Sequence, residues 1–350
     1  MKIKIIFLLL FIFIFLPSQL IGQDDYIVNQ AKFLQKSNPS FYGMNQLNRV
    51  GVLYNSIRVN DNIGMDNKFI FGSISFPDKN FSLGIDVNSF KLNSLGLTNS
   101  FANVTFVYKI QLSNYLFLLP AISAGVMTSR VNPEDLTFGD QLSLAGFRAS
   151  TSRDPLADLI TTVNEEDIGV SFIIHNEFFL AGLGLKHLTQ PNISLYGDYE
   201  ANLPIRISLQ GGYEFNINPY ERSYLPRYSY LYTFLNAVKY GESIYIGLGE
   251  EFQLGEFAIG LTQQVSMIKS KIGTGPTAVE SSNFALNNIG ITLGMALENF
   301  DFGINYNFPN RKPGKVFSPS IFELSIIFDF SIYRRNNRGL YKKLQIDNYY

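Results

Sequence analysis

The sequence predicts an all-β protein, a closed antiparallel transmembrane β-barrel of the outer-membrane type with about 14 strands. Large side chains alternate with polar residues or glycine along most of the chain, and charged residues make up only 16% of it, against roughly 25% in soluble domains. After residue 22 no stretch approaches the roughly 20 apolar residues of a membrane-spanning helix. A chain of this kind can cross a membrane only as strands that close on themselves.

The first 22 residues have the three-part pattern of a secretory signal peptide. Lys2 and Lys4 precede an unbroken apolar run from Ile5 to Leu16, which is followed by small and polar residues up to Gly22. The apolar run is shorter than a spanning helix needs, which disfavours an uncleaved anchor. We therefore predict a signal peptide over residues 1–22, a lead segment over 23–49, a barrel over 50–333 and a basic tail over 334–350.

The alternation is clearest near the C-terminus. From Phe300 to Phe308 every second residue is large and apolar, and the residues between are Asp, Gly or Asn. The stretch from Phe322 to Ile332 repeats the pattern, with Ile327 as its exception. A helix would scatter these side chains around its circumference. The runs reach the roughly 9 to 11 residues of a tilted spanning strand.

Fourteen such runs can be counted, an even number as in bacterial single-chain barrels. Such barrels alternate short periplasmic turns with longer outer loops, and this chain follows that rule at most connections. We predict strands that begin near Val50, Asn67, Phe81, Thr98, Tyr115, Asp167, Glu177, Leu203, Tyr228, Ser243, Phe257, Phe284, Phe300 and Phe317.

The predicted connections differ clearly in length between the two ends. Two of them fit poorly, because Ile217 to Arg227 is long for a periplasmic turn and Tyr240 to Glu242 is short for an outer loop. The short turns are Pro77 to Asn80, Ser113-Asn114, Asn176-Glu177, Gly255-Glu256 and Glu298-Asn299, and the long outer loops are Ser129 to Glu166, Leu188 to Asn202, Met267 to Asn283 and Pro309 to Val316.

Composition excludes several classes of protein. With 0 Cys the chain cannot be a disulfide-stapled module, a lipoprotein anchored through cysteine or a thiolate metal protein. The net charge is −1, which provides no electrostatic footprint for nucleic acid. Trp is absent, so an interfacial aromatic belt would consist of Tyr and Phe, although Tyr also simply favours strands. The tyrosines near predicted strand ends are Tyr54, Tyr108, Tyr115, Tyr213, Tyr245 and Tyr333.

No residue pattern indicates catalysis, a cofactor or a metal site. The two histidines are His175 and His187, and Ser171 is the one hydroxyl on the same predicted strand near His175. Four residues along a strand separate two side chains by roughly 13 Å, too far for a nucleophile and its base. The sequence therefore predicts a non-enzymatic protein with no cofactor.

Charged clusters have two interpretations each. The acidic groups Glu134-Asp135 and Glu165-Glu166-Asp167 could bind calcium, but solvated loops carry such residues for ordinary reasons. The basic tail could meet anionic headgroups or a periplasmic partner, or be an ordinary disordered tail. Charged residues at predicted lumen positions could satisfy one another in a plugged barrel or line water; they are Asp86, Arg206, Glu214, Asp301, Glu323 and Asp329.

Three segments carry a family resemblance. The opening Asn38-Pro39-Ser40-Phe41-Tyr42-Gly43 resembles the Asn-Pro-Ala-Tyr-Ala-Gly opening of the PorP/SprF family, outer-membrane proteins of the type IX secretion system in Bacteroidetes. The stretch from Phe178 to Pro191, with Leu203-Pro204 leading into Gly211-Gly212-Tyr213, is similar to the family's mid-barrel segment, and Phe138-Gly139-Asp140-Gln141 resembles its Phe-x-Asp stretch. Ser40, Tyr42 and the tail after Tyr333 depart from the family pattern. The family-motif positions are Asn38, Pro39, Gly43, Phe138, Asp140, His187, Pro191, Leu203 and Pro204.

The resemblance implies a non-enzymatic role in protein secretion, including gliding or attachment. Such a protein would help a cognate secreted protein, such as an adhesin, to cross or dock at the outer membrane. Its partners would be outer-membrane lipid, type IX secretion subunits and the secreted substrate, with no nucleic acid. The alternative from the barrel itself is a passive porin or a transporter for small hydrophobic ligands.

Overall fold

The computed structural model shows an antiparallel β-barrel with a segment of chain inside it. The predicted signal peptide, the basic tail, Tyr333 and the Glu134-Asp135 pair lie outside the residues that the structure describes, and they stay predictions. The described residues are 33–46, 48–58, 64–93, 96–132, 136, 138–143, 146–147, 152–154, 162–195, 200–220, 224–226, 229–241, 243–272, 279–297, 299–310 and 319–330.

In the described part of the chain, two short helices precede the strands: α1 is Leu34–Ser37, and a 3₁₀ helix follows at Pro39–Gln46. The strands are β1 Arg49–Arg58, β2 Gly64–Phe76, β3 Phe81–Leu92, β4 Leu97–Tyr108, β5 Ile110–Ser113, β6 Leu116–Val131, β7 Leu142–Ser143, β8 Gly146–Phe147, β9 Val163–His175, β10 Phe179–Lys186, β11 Arg206–Asn216, β12 Ser229–Tyr240, β13 Ser243–Leu254, β14 Phe257–Ile272, β15 Val279–Leu297, β16 Phe300–Pro309 and β17 Ser320–Asp329.

The sheet closes because its first and last strands pair with each other. In the β1–β17 ladder Arg49 lies opposite Asp329 and Arg58 opposite Ser320. Around the wall each strand is antiparallel to its neighbours, and β4 pairs directly with β6. The short β5 continues β4 along β6, whereas β7 and β8 form a separate hairpin. The wall is therefore a closed barrel of 14 strands, as predicted.

The strand positions agree with the sequence pattern. Strand β3 begins at Phe81 and β14 at Phe257, as predicted, while the largest difference is at β15, which begins at Val279 rather than Phe284. The strand ends separate two rims of the barrel. We call the rim where β1 begins and β17 ends the terminal end, and the opposite rim the loop end.

Short hairpins close the terminal end. A 3₁₀ turn at Pro77–Lys79 joins β2 to β3, and Gly255 adopts a positive φ of 62° between β13 and β14, a conformation that suits glycine. The structure also contains the two connections whose lengths do not fit the rule. A long connection joins β11 to β12 at the terminal end. A short turn through Gly241, at φ 57°, joins β12 to β13 at the loop end.

The outer surface of the wall is apolar, whereas the inner surface combines polar side chains with apolar clusters. On β3, Ile85 is 56% exposed and faces outward, whereas its neighbour Asp86 is 7% exposed and faces the interior. Ile327, the exception in the C-terminal alternation, is buried in the interior apolar cluster. Among the described residues no helix is long and apolar enough to span a bilayer.

The lipid-facing positions make a depth-dependent prediction. Leu261 and Phe257 lie on the same outward face of β14, 52% and 62% exposed, but Phe257 is at the strand end. We expect Leu261→Arg to destabilise the folded barrel by about 2–4 kcal/mol, and Phe257→Arg by about 0–1 kcal/mol, because a cation costs most at the bilayer midplane. Denaturant titration of folding into lipid vesicles measures both. Equal losses for the two variants would contradict a membrane-spanning face.

Candidate functional site: the barrel interior

The chain segment before the first strand lies inside the barrel. We call Phe33–Gln46 the plug segment; of its residues from Phe33 to Met44, all but Leu34 are buried. Its 3₁₀ helix contacts β2, β3, β4, β6 and β9. The plug segment, which is part of the predicted lead segment, therefore occupies the lumen of the barrel.

Local chemistry explains the shape of the plug segment. Proline cannot continue a preceding helix and biases the residue before it toward an extended conformation. Pro39 accordingly separates α1 from the 3₁₀ helix, and Asn38 is extended at φ −143° and ψ 105°. The Asn38 side-chain oxygen accepts a hydrogen bond from the Ser40 backbone N–H at 3.0 Å. This turn allows both side chains to face the wall.

Asn38 and Ser40 fix the plug segment to β9 and β11. The Asn38 amide donates to the Gln210 side-chain oxygen at 2.9 Å and to the Phe172 carbonyl at 3.3 Å. The Ser40 and Ser171 hydroxyl oxygens lie 2.8 Å apart. Asn38 and Ser40 are both fully buried, where unsatisfied polar groups would each cost about 1–3 kcal/mol. The Ser171 hydroxyl, which was considered above as a nucleophile near His175, is thus hydrogen-bonded to Ser40.

Tyr42 joins the plug segment to the opposite part of the wall. Its hydroxyl donates to Asp86 at 3.0 Å, and Asp86 also accepts from the Asn103 amide at 2.8 Å. Burial raises the pKa of Tyr42 well above its usual value, and the Asp86 carboxylate raises it further. The phenol therefore remains a hydrogen-bond donor at all ordinary pH values.

An aromatic cluster surrounds this contact. The Phe33 ring meets the Phe71 ring edge to face at a centroid distance of 5.8 Å, and Tyr42 packs against the same Phe71 ring at 5.8 Å. Phe69 completes the group, 6.2 Å from Phe33. Aromatic pairs of this geometry add about 0.5–1.5 kcal/mol beyond their area burial. The plug segment thus combines polar anchors with an apolar contact.

Glycines in the wall make room for the plug segment. A methyl group on Gly84 would lie 2.3 Å from the Tyr42 ring. A methyl on Gly184 would lie 3.1 Å from the Ser37 carbonyl oxygen, and one on Gly182 would lie 2.9 Å from the Asn38 amide. The inner surface is therefore shaped to this segment.

A histidine–aspartate pair lies in the interior toward the loop end. His187 Nδ1 is 2.8 Å from Asp167 Oδ2, and both side chains are buried. The imidazole packs between the rings of Phe101 and Tyr240, at centroid distances of 5.9 and 6.1 Å. His187 has a positive φ of 59°, which is uncommon for a residue other than glycine. The pairing of these two residues was not predicted from the sequence.

A small cavity of about 30 Å³ separates this pair from the plug segment. Pro39 lines it from the plug side, and His187 and Asp167 line it from the wall. Three of the residues that carry the family resemblance therefore come close together in the fold, because Asn38 adjoins Pro39 and Pro39 faces the cavity with His187.

The other motif positions have separate places. Leu203 is buried with Met127 and Tyr240 in a small apolar cluster, and Pro204 lies beside Gly241. The Pro191 carbonyl accepts from the Leu203 backbone N–H at 3.0 Å. Gly43 approaches Val107 and Leu119, where a methyl would lie 2.6 Å from Val107. These positions support the interior without touching the cavity.

Phe138 and Asp140 lie outside the interior, in the long connection between β6 and β9. The Asp140 carboxylate accepts from the Arg153 backbone N–H at 2.6 Å and from the Ser152 hydroxyl at 2.7 Å. These two hydrogen bonds lower the pKa of Asp140. Asp140 is exposed, and its contacts join two parts of one loop.

Most of the charged residues predicted to face the lumen do so. Asp86, Arg206, Glu214 and Glu323 are buried inside the wall, and the Asn55 amide donates to Glu323 at 2.6 Å. Asp329 forms an ion pair with Arg49 at 2.6 Å, at the terminal end. Within the described part of the chain no group of three or more His, Cys, Asp or Glu side chains could hold a metal ion.

Comparisons with known proteins find one family and several solved structures that this chain resembles. Residues 21–328 match the family described as type IX secretion system membrane protein PorP/SprF. A mutant of the TodX monoaromatic hydrocarbon channel is 11% identical with a TM-score of 0.50, and the match covers 85% of this chain and 94% of that one. A Pseudomonas aeruginosa FadL homologue is 10% identical with a TM-score of 0.45, covering 84% and 93%. Omp33 of Acinetobacter baumannii is 10% identical with a TM-score of 0.43, covering 81% and 99%. No curated protein matches the chain.

The close contact at Gly84 makes the plug segment testable. We expect Gly84→Ala to lower the stability of the barrel by about 1–3 kcal/mol, because overpacking at the Tyr42 ring forces a shift. Trypsin should then cleave after Lys36, which is buried in the native protein. Thermal unfolding in detergent and mass spectrometry of the digest measure these effects.

Gly211→Ala is the matched control, because a methyl there has nothing within 4 Å. We expect it to leave both the midpoint of unfolding and the digest unchanged. If Gly84→Ala behaved in the same way as Gly211→Ala, Tyr42 would not occupy the position described.

Proposed function

The chain belongs to the PorP/SprF family of type IX secretion system membrane proteins. We propose that it assists the export or surface docking of one cognate secreted protein, such as an adhesin. In this proposal the secreted protein does not pass through the lumen of the barrel. The observation that carries the second half of this proposal is the plug segment, whose residues from Phe33 to Met44 are buried except Leu34. A folded protein or an extended chain would have to displace it entirely.

The manner in which the plug segment is held supports a permanent rather than a transient seal. Its polar side chains are bonded to three different strands, through Asn38 to Gln210 on β11, Ser40 to Ser171 on β9 and Tyr42 to Asp86 on β3. Each bond to a buried polar group leaves an unsatisfied partner if it is broken. Releasing the segment would therefore break several interactions at once.

The surfaces left for a partner are the two rims and the wall. The proposed site for the secreted protein is the loop end, where the long connection between β6 and β9 carries Phe138 and the Asp140 contacts. Loops on a rigid scaffold are where binding residues concentrate. The terminal end, with its short hairpins, would then face periplasmic subunits of the machinery, and residues 1–22 would be removed on export.

The alternative function, a passive porin or a transporter for hydrophobic ligands, rests on the barrel alone. A likeness in fold to a hydrocarbon channel at 11% identity does not extend to its activity. Wide channels need a lumen that remains open to water, and the plug segment occupies the lumen here.

A deletion of the gene tests the role in secretion. We expect one secreted protein to disappear from the cell surface while the other substrates of the same secretion system are displayed normally, because the proposal assigns a single cognate protein to this barrel. Surface proteomics of the deletion strain and of a complemented strain measures this. Normal display of every substrate would refute the proposal.

The loop end can be tested by a single substitution. Asp140→Ala removes the bonds to Arg153 and Ser152, and we expect a several-fold loss of cargo display with an unchanged amount of barrel in the membrane. Asp78→Ala, in the exposed turn between β2 and β3 at the terminal end, is the matched control and should leave display unchanged. Equal display in both variants would contradict docking at this loop.

Conductance separates the proposal from the porin alternative. In planar bilayers we expect the purified protein to conduct little, because Phe33–Gln46 fills the lumen. Deleting residues 33–46 should raise the conductance, since polar wall residues would then line an open pore. A large and steady conductance of the intact protein would favour the porin.

A further inference from the structure

The wall of the barrel separates along β9 at the loop end. The ladder between β9 and β6 covers the whole of β9, whereas the ladder between β9 and β10 covers only residues 170–175. One more backbone hydrogen bond follows, in which the Leu188 N–H donates to the Ile168 carbonyl at 3.0 Å. Beyond it, in the part of the chain that the structure describes, β9 pairs with β6 alone. We call residues 163–167 the β9 edge.

A turn after β10 directs the chain away from the β9 edge. His187 and Gln190 have positive φ values of 59° and 49°, and the Gln190 N–H donates to the His187 carbonyl at 3.1 Å. Residues other than glycine seldom adopt this backbone conformation. After the turn the chain pairs with the segment that leads into β11, where the Leu203 N–H donates to the Pro191 carbonyl at 3.0 Å. The separation is therefore built into the backbone.

A cleft of about 720 Å³ lies at this separation. We call it the β9 cleft; residues 164–166 of β9 line one side of it, and residues 189–192 line the other. Its volume is within the roughly 300–1,000 Å³ of ligand pockets, which are mostly apolar. The β9 cleft is lined instead mainly by amide, carboxylate and hydroxyl side chains. It therefore suits a polar ligand.

Backbone groups of the β9 edge face this cleft. In an antiparallel ladder the N–H and C=O of one residue point to the same neighbour, and alternate residues share a side. The Glu166 carbonyl accepts from the Thr189 hydroxyl at 2.9 Å, as the Ile168 carbonyl accepts from Leu188. The Glu166 N–H therefore points into the β9 cleft, away from β6. An unpaired edge of this kind is a template for one added strand.

Two carboxylates give the β9 edge a negative charge on both of its faces. Glu165 and Glu166 are consecutive, so their side chains point to opposite faces of the strand, and they cannot chelate one cation together. Neither carboxylate bonds to another side chain in the described part of the chain. Residues that lie directly opposite in paired strands share a face. Two adjacent basic residues in an added strand would therefore meet these two carboxylates.

We propose that the β9 edge binds an extended segment of the secreted protein by strand addition, and that two adjacent Lys or Arg residues of this segment pair with Glu165 and Glu166. In strand addition the main-chain hydrogen bonds supply affinity and the side chains supply specificity. The identity of the partner rests on the proposed function. The peptide site itself follows from the free edge, the cleft and the charges.

Binding of a synthetic peptide to the purified mature protein in detergent tests the site. The probe is a fluorescent peptide, Thr-Val-Thr-Lys-Lys-Thr-Val-Thr, whose length is usual for a strand, and fluorescence anisotropy measures its affinity. We expect saturable binding that Glu166→Pro weakens about tenfold, because proline removes the N–H that faces the cleft. Glu177→Pro, in the turn at the other end of the same hairpin, is the matched control and should bind as the native protein does.

Two results of this titration would overturn the proposal. One is the absence of saturable binding to the native protein, and the other is equal affinity of the native protein and Glu166→Pro.

A charge exchange keeps the test decisive if Glu166→Pro does not fold. The native protein should bind the Lys-Lys peptide several-fold more tightly than a Glu-Glu version of it, because opposite charges on paired strands attract. The double variant Glu165→Lys with Glu166→Lys should reverse this preference. An unchanged preference in the double variant overturns the proposal.

The peptide titration and the gene deletion separate the two proposals. Peptide binding together with normal display of every secreted substrate in the deletion strain supports the peptide site and refutes the role in export. Loss of one substrate from the surface together with no peptide binding overturns the peptide site and supports the role in export.

Discussion

The need to fill and satisfy a wide polar lumen governs this structure. Barrels of about eight strands are filled by their own side chains, whereas those of about 16 to 18 strands leave an aqueous channel. A wall of 14 strands lies between, too wide to close by itself. The plug segment supplies the missing volume and the missing hydrogen-bond partners, and inward glycines such as Gly84 and Gly182 make space for it. The barrel and the plug segment therefore form a single packed unit.

The wall could be predicted from the sequence because the alternation of residues along each strand distinguishes its outer face from its inner face. Alternation located the strands, and the one exception, Ile327, proved to face the interior cluster. The plug segment could not be found in this way, since Phe33–Gln46 has no strand period and its burial depends on a wall that closes only when β1 meets β17. The family resemblance drew attention to Asn38 and Pro39 but gave no position for them.

The His187–Asp167 pair was missed for a related reason. The two residues are twenty positions apart, and their contact depends on the register of β9 against β10, in which Leu185 lies opposite Val170. Continuing that register would have placed both residues at the same level of one hairpin. The signal was present, but the sequence alone does not fix the register or the left-handed backbone at His187. A site that forms between two strands can be predicted only when the register of those strands is known.

The central claim, that the opening motif lies inside the barrel, is tested most directly by cross-linking. The native chain has 0 Cys, so the double variant Ser40→Cys with Ser171→Cys contains only two thiols. The hydroxyl oxygens of these two serines are 2.8 Å apart, which is close enough for the introduced cysteines to form a disulfide. Val170→Cys replaces Ser171→Cys in the control, because Val170 faces lipid. On oxidation of the folded protein, followed by denaturation and maleimide labelling, the first pair should show no free thiol and the control should show two. Two free thiols in both would place the motif outside the lumen and contradict the account.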